Sequence, residues 1–152
     1  MDNKNNDYSI VFSQVQKAYG KNIVINNLNL EIEKGERLIL LGPSGCGKTT
    51  TLRMIAGFEE ITQGDLFMGG ARVNDVAPGE RNIAMVFQSY ALFPHLSVWE
   101  NITFGLQLQK LPQAEIEKRT RQALELLHLE GYENKKTHEL SGGQKQRVAL
   151  CR

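Results

Sequence analysis

The sequence has no long apolar run, no surplus of either charge and almost no cysteine. No stretch approaches the roughly 18 consecutive apolar residues that a membrane-spanning helix needs. Lys and Arg number 18 against 17 Asp and Glu, a net charge of +1. The basic surplus of a nucleic-acid-binding surface is therefore missing. Two cysteines in 152 residues cannot build a disulfide scaffold and fit a reducing compartment. The polar start, residues 1–7, has no apolar core of the kind a secretory signal requires. The three histidines have no metal-ligand spacing. What is present is 41% hydrophobic residues and 14 glycines, which excludes wholesale disorder. At about 150 residues per domain, the length suits one domain or part of a larger one.

Periodicity divides the chain into a β-rich first half and a helical second half, joined near Gln88. Residues 8–12 are rich in β-formers, and Leu28, Leu30 and Ile32 alternate with polar neighbours; both predict half-buried strands. Turns are predicted at Gly20-Lys21-Asn22 and Glu33-Lys34-Gly35-Glu36. Leu38-Ile39-Leu40-Leu41 is continuously apolar and predicts a strand covered on both faces; residues 83–87 predict another. Short strands are expected at residues 66–68 and 71–73. A helix is expected from Lys48 to Ala56, with Gly57 as its left-handed cap. Ser97 and Glu100 have the spacing of a capping box. Pro112 breaks the helix they open and suits the start of the next. Ile116, Thr120, Ala123, Leu124 and Leu127 fall on one helical face.

Two motifs carry chemistry. Gly42-Pro43-Ser44-Gly45-Cys46-Gly47-Lys48-Thr49 matches the phosphate-binding pattern G-x-x-x-x-G-K-[ST]. A polyphosphate must be gripped close to the backbone, which bulky side chains would block. Glycines let successive N–H groups curl around it, and the helix that follows adds positive charge at its start. Lys48 would contact the β- and γ-phosphates and Thr49 would place its hydroxyl on Mg²⁺. A Gly-rich turn with a surface lysine is the plainer alternative, which the strand–loop–helix context disfavours. Ser141 and Gln144, in Leu140-Ser141-Gly142-Gly143-Gln144, have the spacing of a second capping box, with two glycines in its first turn. Glycine is poor in helices, so two of them suggest the close approach of another group, and an anion suits both the amides and the dipole. On these grounds an ordinary helix cap and a phosphate site stand equal.

Taken together and in order, the two motifs resemble the ATP-binding cassette (ABC) family. Gly42–Thr49 matches its Walker A motif, and Leu140–Gln144 matches its signature motif, with Ser141 93 residues after Lys48. Gln88 falls at the Q-loop and Tyr19 at the A-loop aromatic. The stretch Phe87-Gln88-Ser89-Tyr90-Ala91-Leu92-Phe93-Pro94-His95-Leu96-Ser97-Val98 is similar to the ATPase subunits of bacterial importers for polyamines, sugars and ferric iron. Some segments lean to the spermidine/putrescine branch and others to the maltose/glycerol-phosphate branch.

The resemblance implies an α/β fold: a P-loop NTPase core with an antiparallel β subdomain (residues 8–88) and a helical signature subdomain (residues 89–152), after a polar tail (residues 1–7). It implies ATP and Mg²⁺ as cofactors. ATP would be bound by Tyr19 stacking on adenine, by Gly42, Pro43, Ser44, Gly45, Cys46, Gly47, Lys48, Thr49 and Thr50, and by Ser141, Gly142, Gly143 and Gln144 of a second cassette paired head to tail. Gln88 would help hold Mg²⁺ or orient water. The region 88–100 would receive the membrane permease through Tyr90, Leu92, Phe93 and Leu96, unless these fill the local core. An extracytoplasmic solute-binding protein is an indirect partner, and nucleic acid is not one. The expected place is the cytoplasmic face of the bacterial inner membrane. Alternatives are a soluble ABC protein of translation or DNA repair, or a non-catalytic interaction module. The family's Walker B strand and catalytic Glu follow the signature helix, so no residue up to Arg152 is assigned as the catalytic base. The 152 residues by themselves are expected to be poorly folded or sticky, to bind ATP weakly and to sustain no hydrolysis.

Overall fold

The computed structural model describes residues 8–152, so the polar tail lies outside the described residues. They divide into two compact units, one ending at Ala84 and the other spanning Met85–Arg152.

The first unit is built on an antiparallel sheet of β1 (Tyr8–Tyr19), β2 (Asn22–Glu33), β3 (Gln63–Met68) and β4 (Ala71–Arg72), in the order β2-β1-β3-β4. The two predicted strand segments extend toward each other and close at the predicted Gly20 turn, with Tyr19 opposite Asn22. Phe12 lies opposite Leu30 in one neighbour and Leu66 in the other, so the apolar alternation is in register across three strands. Between Phe12 and Val15 the β1–β2 register shifts, and Gln14 and Asn27 take positive φ there. Helix α1 runs over Lys48–Ala56 with Gly57 as its left-handed C-cap, as the sequence predicts. It buries Met54 in one core with Phe12, Val15, Leu66 and Val73.

Arg81 closes this unit from the far end of α1. Its guanidinium is buried and donates to the carbonyls of Met54 at 2.6 Å, Ile55 at 2.9 Å, Val73 at 2.7 Å and Val76 at 3.0 Å. Two of these are last-turn carbonyls of α1, where helix geometry leaves acceptors free and the dipole favours a cation. Burial pushes the Arg81 pKa down from its ordinary value.

The second unit packs α2 (Val98–Leu108), α3 (Gln113–Leu126) and α4 (Gly142–Cys151) around Val98, Ile102, Leu124, Leu129, Leu140 and Val148. The Ser97–Glu100 capping box forms on both sides: Ser97 Oγ accepts from the Glu100 amide at 3.2 Å and Glu100 Oε2 accepts from the Ser97 amide at 2.6 Å. On α3, Ile116, Thr120 and Leu124 are buried, as their spacing predicts. Pro112 stands at the N-cap, one position before the expected first helical residue.

Two expectations are corrected. Neither residues 38–41 nor residues 83–87 are strands. Leu38 is 41% exposed, Ile39 76%, Leu41 87% and Val86 44%. A continuous apolar run becomes a buried strand only where neighbouring strands and a covering layer accept it. No ladder among the described residues takes in either stretch.

Candidate nucleotide site

The loop 42–49 is shaped by what precedes and follows it. α1 begins at Lys48, and its N-cap is Gly47, left-handed at φ 95. No side chain caps this helix start, and no acidic residue lies in its first turn. Its first amides and the positive end of its dipole are thus left for an outside anion. Gly47 is buried: a Cβ there would sit 3.0 Å from Cγ1 of Ile25 on β2, in a backbone conformation that side chains rarely adopt. At Gly42, φ 153, a Cβ would lie 2.7 Å from Cys46 Sγ. A Cβ on Gly45 would meet nothing within 4 Å, so the loop is open on that side.

Lys48 folds over this loop. Its Nζ donates to the carbonyls of Gly42 and Pro43, each at 2.7 Å, and lies 3.4 Å from Cys46 Sγ. Pro43, Ser44, Cys46 and Thr49 are exposed and Thr50 is half-buried. The residues present fit a phosphate chain: an ammonium, an uncapped helix start and glycine backbone with open space beside it. No group of three His, Cys, Asp or Glu among the described residues could hold a metal ion. The Thr49 hydroxyl, in the first turn of α1, belongs to an exposed residue.

Tyr19 ends β1 in the same unit. The residue is 47% exposed, with Lys17 Nζ 4.7 Å from its ring centroid. Gln88 belongs to the second unit and is exposed.

The second motif forms the start of α4. Ser141 Oγ accepts from the Gln144 amide at 3.3 Å, and Gln144 Oε1 accepts from the Ser141 amide at 2.8 Å. This is the predicted capping box. Ser141, Gly142 and Gly143 are exposed. A Cβ on Gly142 would lie 3.6 Å from the Tyr90 hydroxyl, and one on Gly143 would meet nothing within 4 Å. The chain's own packing therefore does not require glycine at 143.

Tyr90, Leu92, Phe93 and Leu96 are half-buried. Leu92 packs against the core of the second unit. The Phe93 ring lies 4.7 Å from that of Phe104, with the Arg152 guanidinium 4.1 Å over it. These residues are thus partly engaged in local packing. Burial pushes the Cys151 thiol up.

Sequence reasoning missed Lys17, Arg81 and Asn101. Lys17 alternates with Val15 and is as buried as an apolar residue, 7% exposed. Asn101 sits at helical spacing from Val98 on the apolar face of α2, and a polar residue in that stripe was a readable signal. Arg81 had none.

The ABC transporter family model matches residues 25–152. The chain belongs to the ABC transporter family. Among ABC transporter proteins it is similar to the osmoprotective compounds uptake ATP-binding protein GgtA of Synechocystis, at 55% identity over 144 residues, which are 95% of this chain and 40% of that protein. It is 53% identical to the maltose/maltodextrin import ATP-binding protein MalK of Yersinia pestis, over 95% of this chain and 39% of MalK. The spermidine/putrescine import ATP-binding protein PotA of Legionella pneumophila is 52% identical over 94% of this chain and 39% of PotA. The chain thus spans about two fifths of the length of these curated relatives. Among solved structures, cbiO1 of Clostridium perfringens, part of an ABC transporter complex, superposes with a TM-score of 0.83 at 31% identity, over 95% of this chain and 60% of cbiO1. A dimeric ATP-binding cassette bound to ADP and phosphate superposes at 0.82 with 33% identity, over 93% of this chain and 67% of that one. These neighbours are α/β cassettes, the fold class that the motifs imply. No helix among the described residues is long and apolar enough to cross a membrane.

Proposed function

We propose that this chain is the nucleotide-gripping and signature-bearing portion of an importer's ATP-binding subunit. Binding and hydrolysis of ATP at the cytoplasmic face of the bacterial inner membrane would drive uptake of a small solute of the polyamine, sugar or iron class. The observation that carries this reading is the loop 42–49, where Lys48 spans two loop carbonyls at the uncapped start of α1. Lys48 would exchange those carbonyls for the β- and γ-phosphates. The loop amides would neutralise further phosphate charge without reorganising. Tyr19 would stack on the adenine. Thr49 and Gln88 would hold Mg²⁺, which supplies charge compensation on the phosphates.

The open start of α4 supports a second role for the signature residues. In a head-to-tail pair, Ser141, Gly142, Gly143 and Gln144 of one copy would face the γ-phosphate held by Lys48 of the other. The region 88–100 would meet the permease, and the solute-binding protein would act through that permease.

The test is titration with a fluorescent ATP analogue, with and without Mg²⁺, on the parent and on Lys48→Ala. Binding that weakens at least about tenfold in the variant supports the reading, because the lost contact is a charge-assisted one. Equal affinity in both proteins overturns it.

A further inference from the structure

We infer that Lys17 and Glu59 are positioning residues for Tyr19, setting the ring that would receive an adenine base against the loop that would hold its phosphates. The inference rests on the proposed role of Tyr19 as the base platform. Lys17 stands two residues before Tyr19 on β1, so both side chains leave the same face of the strand. Its ammonium is buried and serves neither the phosphate loop nor the signature. Nζ lies 2.8 Å from Glu59 Oε1, donates to the Glu60 carbonyl at 2.8 Å, and rests 4.7 Å from the centre of the Tyr19 ring. A cation bound to one face of a phenol ring holds its orientation and leaves the other face for a second π system. Tyr19 as a residue is 47% exposed, which leaves room for one.

Glu59 and Glu60 follow α1 directly, just past its Gly57 cap. Thr62 in the same short segment is bonded to β1 three times: its N donates to the Gln16 carbonyl at 2.9 Å, Ala18 N donates to its Oγ1 at 3.0 Å, and that Oγ1 lies 3.4 Å from the Ala18 carbonyl. The exit of α1 is therefore stitched to the last residues of β1 on both sides of Lys17. Lys48 stands at the opposite end of α1. The helix acts as a rod of about 14 Å, so the stitch at one end fixes where Tyr19 stands relative to Lys48 at the other. The Lys17 ammonium, with the Tyr19 hydroxyl adding to it, holds the Glu59 carboxyl below the usual carboxylate range although burial opposes this. The Glu59 carboxyl is thus ionised at neutral pH.

The experiment compares affinity for ATP with affinity for inorganic triphosphate, both on the same sample of each protein. Taking the ratio within one sample cancels any loss of folded protein. Lys17→Met and Tyr19→Ala are each expected to lower the ATP-to-triphosphate ratio about threefold to tenfold while leaving triphosphate affinity unchanged, the range a lost cation–π contact predicts. The double variant should fall no further than Tyr19→Ala, and Lys17→Arg should restore the parent ratio. A ratio lowered by Tyr19→Ala but not by Lys17→Met overturns the inference alone. A ratio that Tyr19→Ala leaves unchanged overturns the base-platform assignment, and the inference with it.

Discussion

Asn101 holds the backbone of Phe93 from both sides. Its Oδ1 accepts from the Phe93 amide at 2.9 Å and its Nδ2 donates to the Phe93 carbonyl at 3.2 Å. The same Nδ2 donates to the carbonyls of Leu96, at 3.2 Å, and Ser97, at 2.8 Å. The side chain is fully buried. One residue of α2 thus shapes the loop that leads into its own helix, and it does so beside Tyr90 and Ala91, which both take positive φ.

Asn101→Ala should lower the stability of the chain by about 3 kcal/mol, since it opens a cavity and leaves a buried amide without an acceptor. Denaturant titration followed through Trp99 measures this. A loss below about 1 kcal/mol, the size of an ordinary net hydrogen bond, would show that the loop finds other partners.

Arg81→Met should cost about 2–4 kcal/mol, because several carbonyls at the exit of α1 lose a charged donor at once. Arg81→Lys should recover little of it. A single ammonium cannot replace a planar fork that reaches Met54, Ile55, Val73 and Val76. Equal melting of Arg81→Lys and the parent would exclude this account.

Gly143→Ala separates the two meanings of the α4 start. Nothing lies within 4 Å of a Cβ at this position, and glycine is about 1 kcal/mol worse than alanine inside a helix. The variant should therefore melt at the same temperature or higher. If a phosphate of a paired copy approaches there, ATPase of the assembled transporter should fall severalfold. Unchanged turnover would leave the motif as a helix cap.

The Glu59–Lys17 pair sets a pH dependence. Lys17 holds the folded-state carboxyl of Glu59 below its ordinary value, with Tyr19 and Arg53 acting in the same direction. A depressed carboxyl contributes stability that is fully present above the unfolded value of about 4.3 and is lost as pH falls through the lower folded value. Glu59→Gln should flatten that part of the stability profile and leave the profile above about pH 6 parallel to the parent. Coincident curves below pH 4 and above pH 6 would rule the pair out as the cause.

Local rules made much of this protein legible in advance. A glycine at the exit of Lys48–Ala56, serine and glutamate at the start of α2, and serine and glutamine at the start of α4 each satisfy backbone groups within a few residues. Those features needed no distant partner to form. The phosphate-loop pattern was legible for the same reason, since its glycines answer to the loop's own backbone and to one strand beside it. The tertiary structure decided what depends on distant neighbours. Residues 38–41 carry the composition of a buried strand, yet a strand is a pairing between segments, and no described segment pairs with them. Lys17, Arg81 and Asn101 are polar residues whose hydrogen-bond partners lie 4 to 43 positions away in sequence, and burial of a charge or an amide is stable only where folding brings those partners within hydrogen-bonding distance.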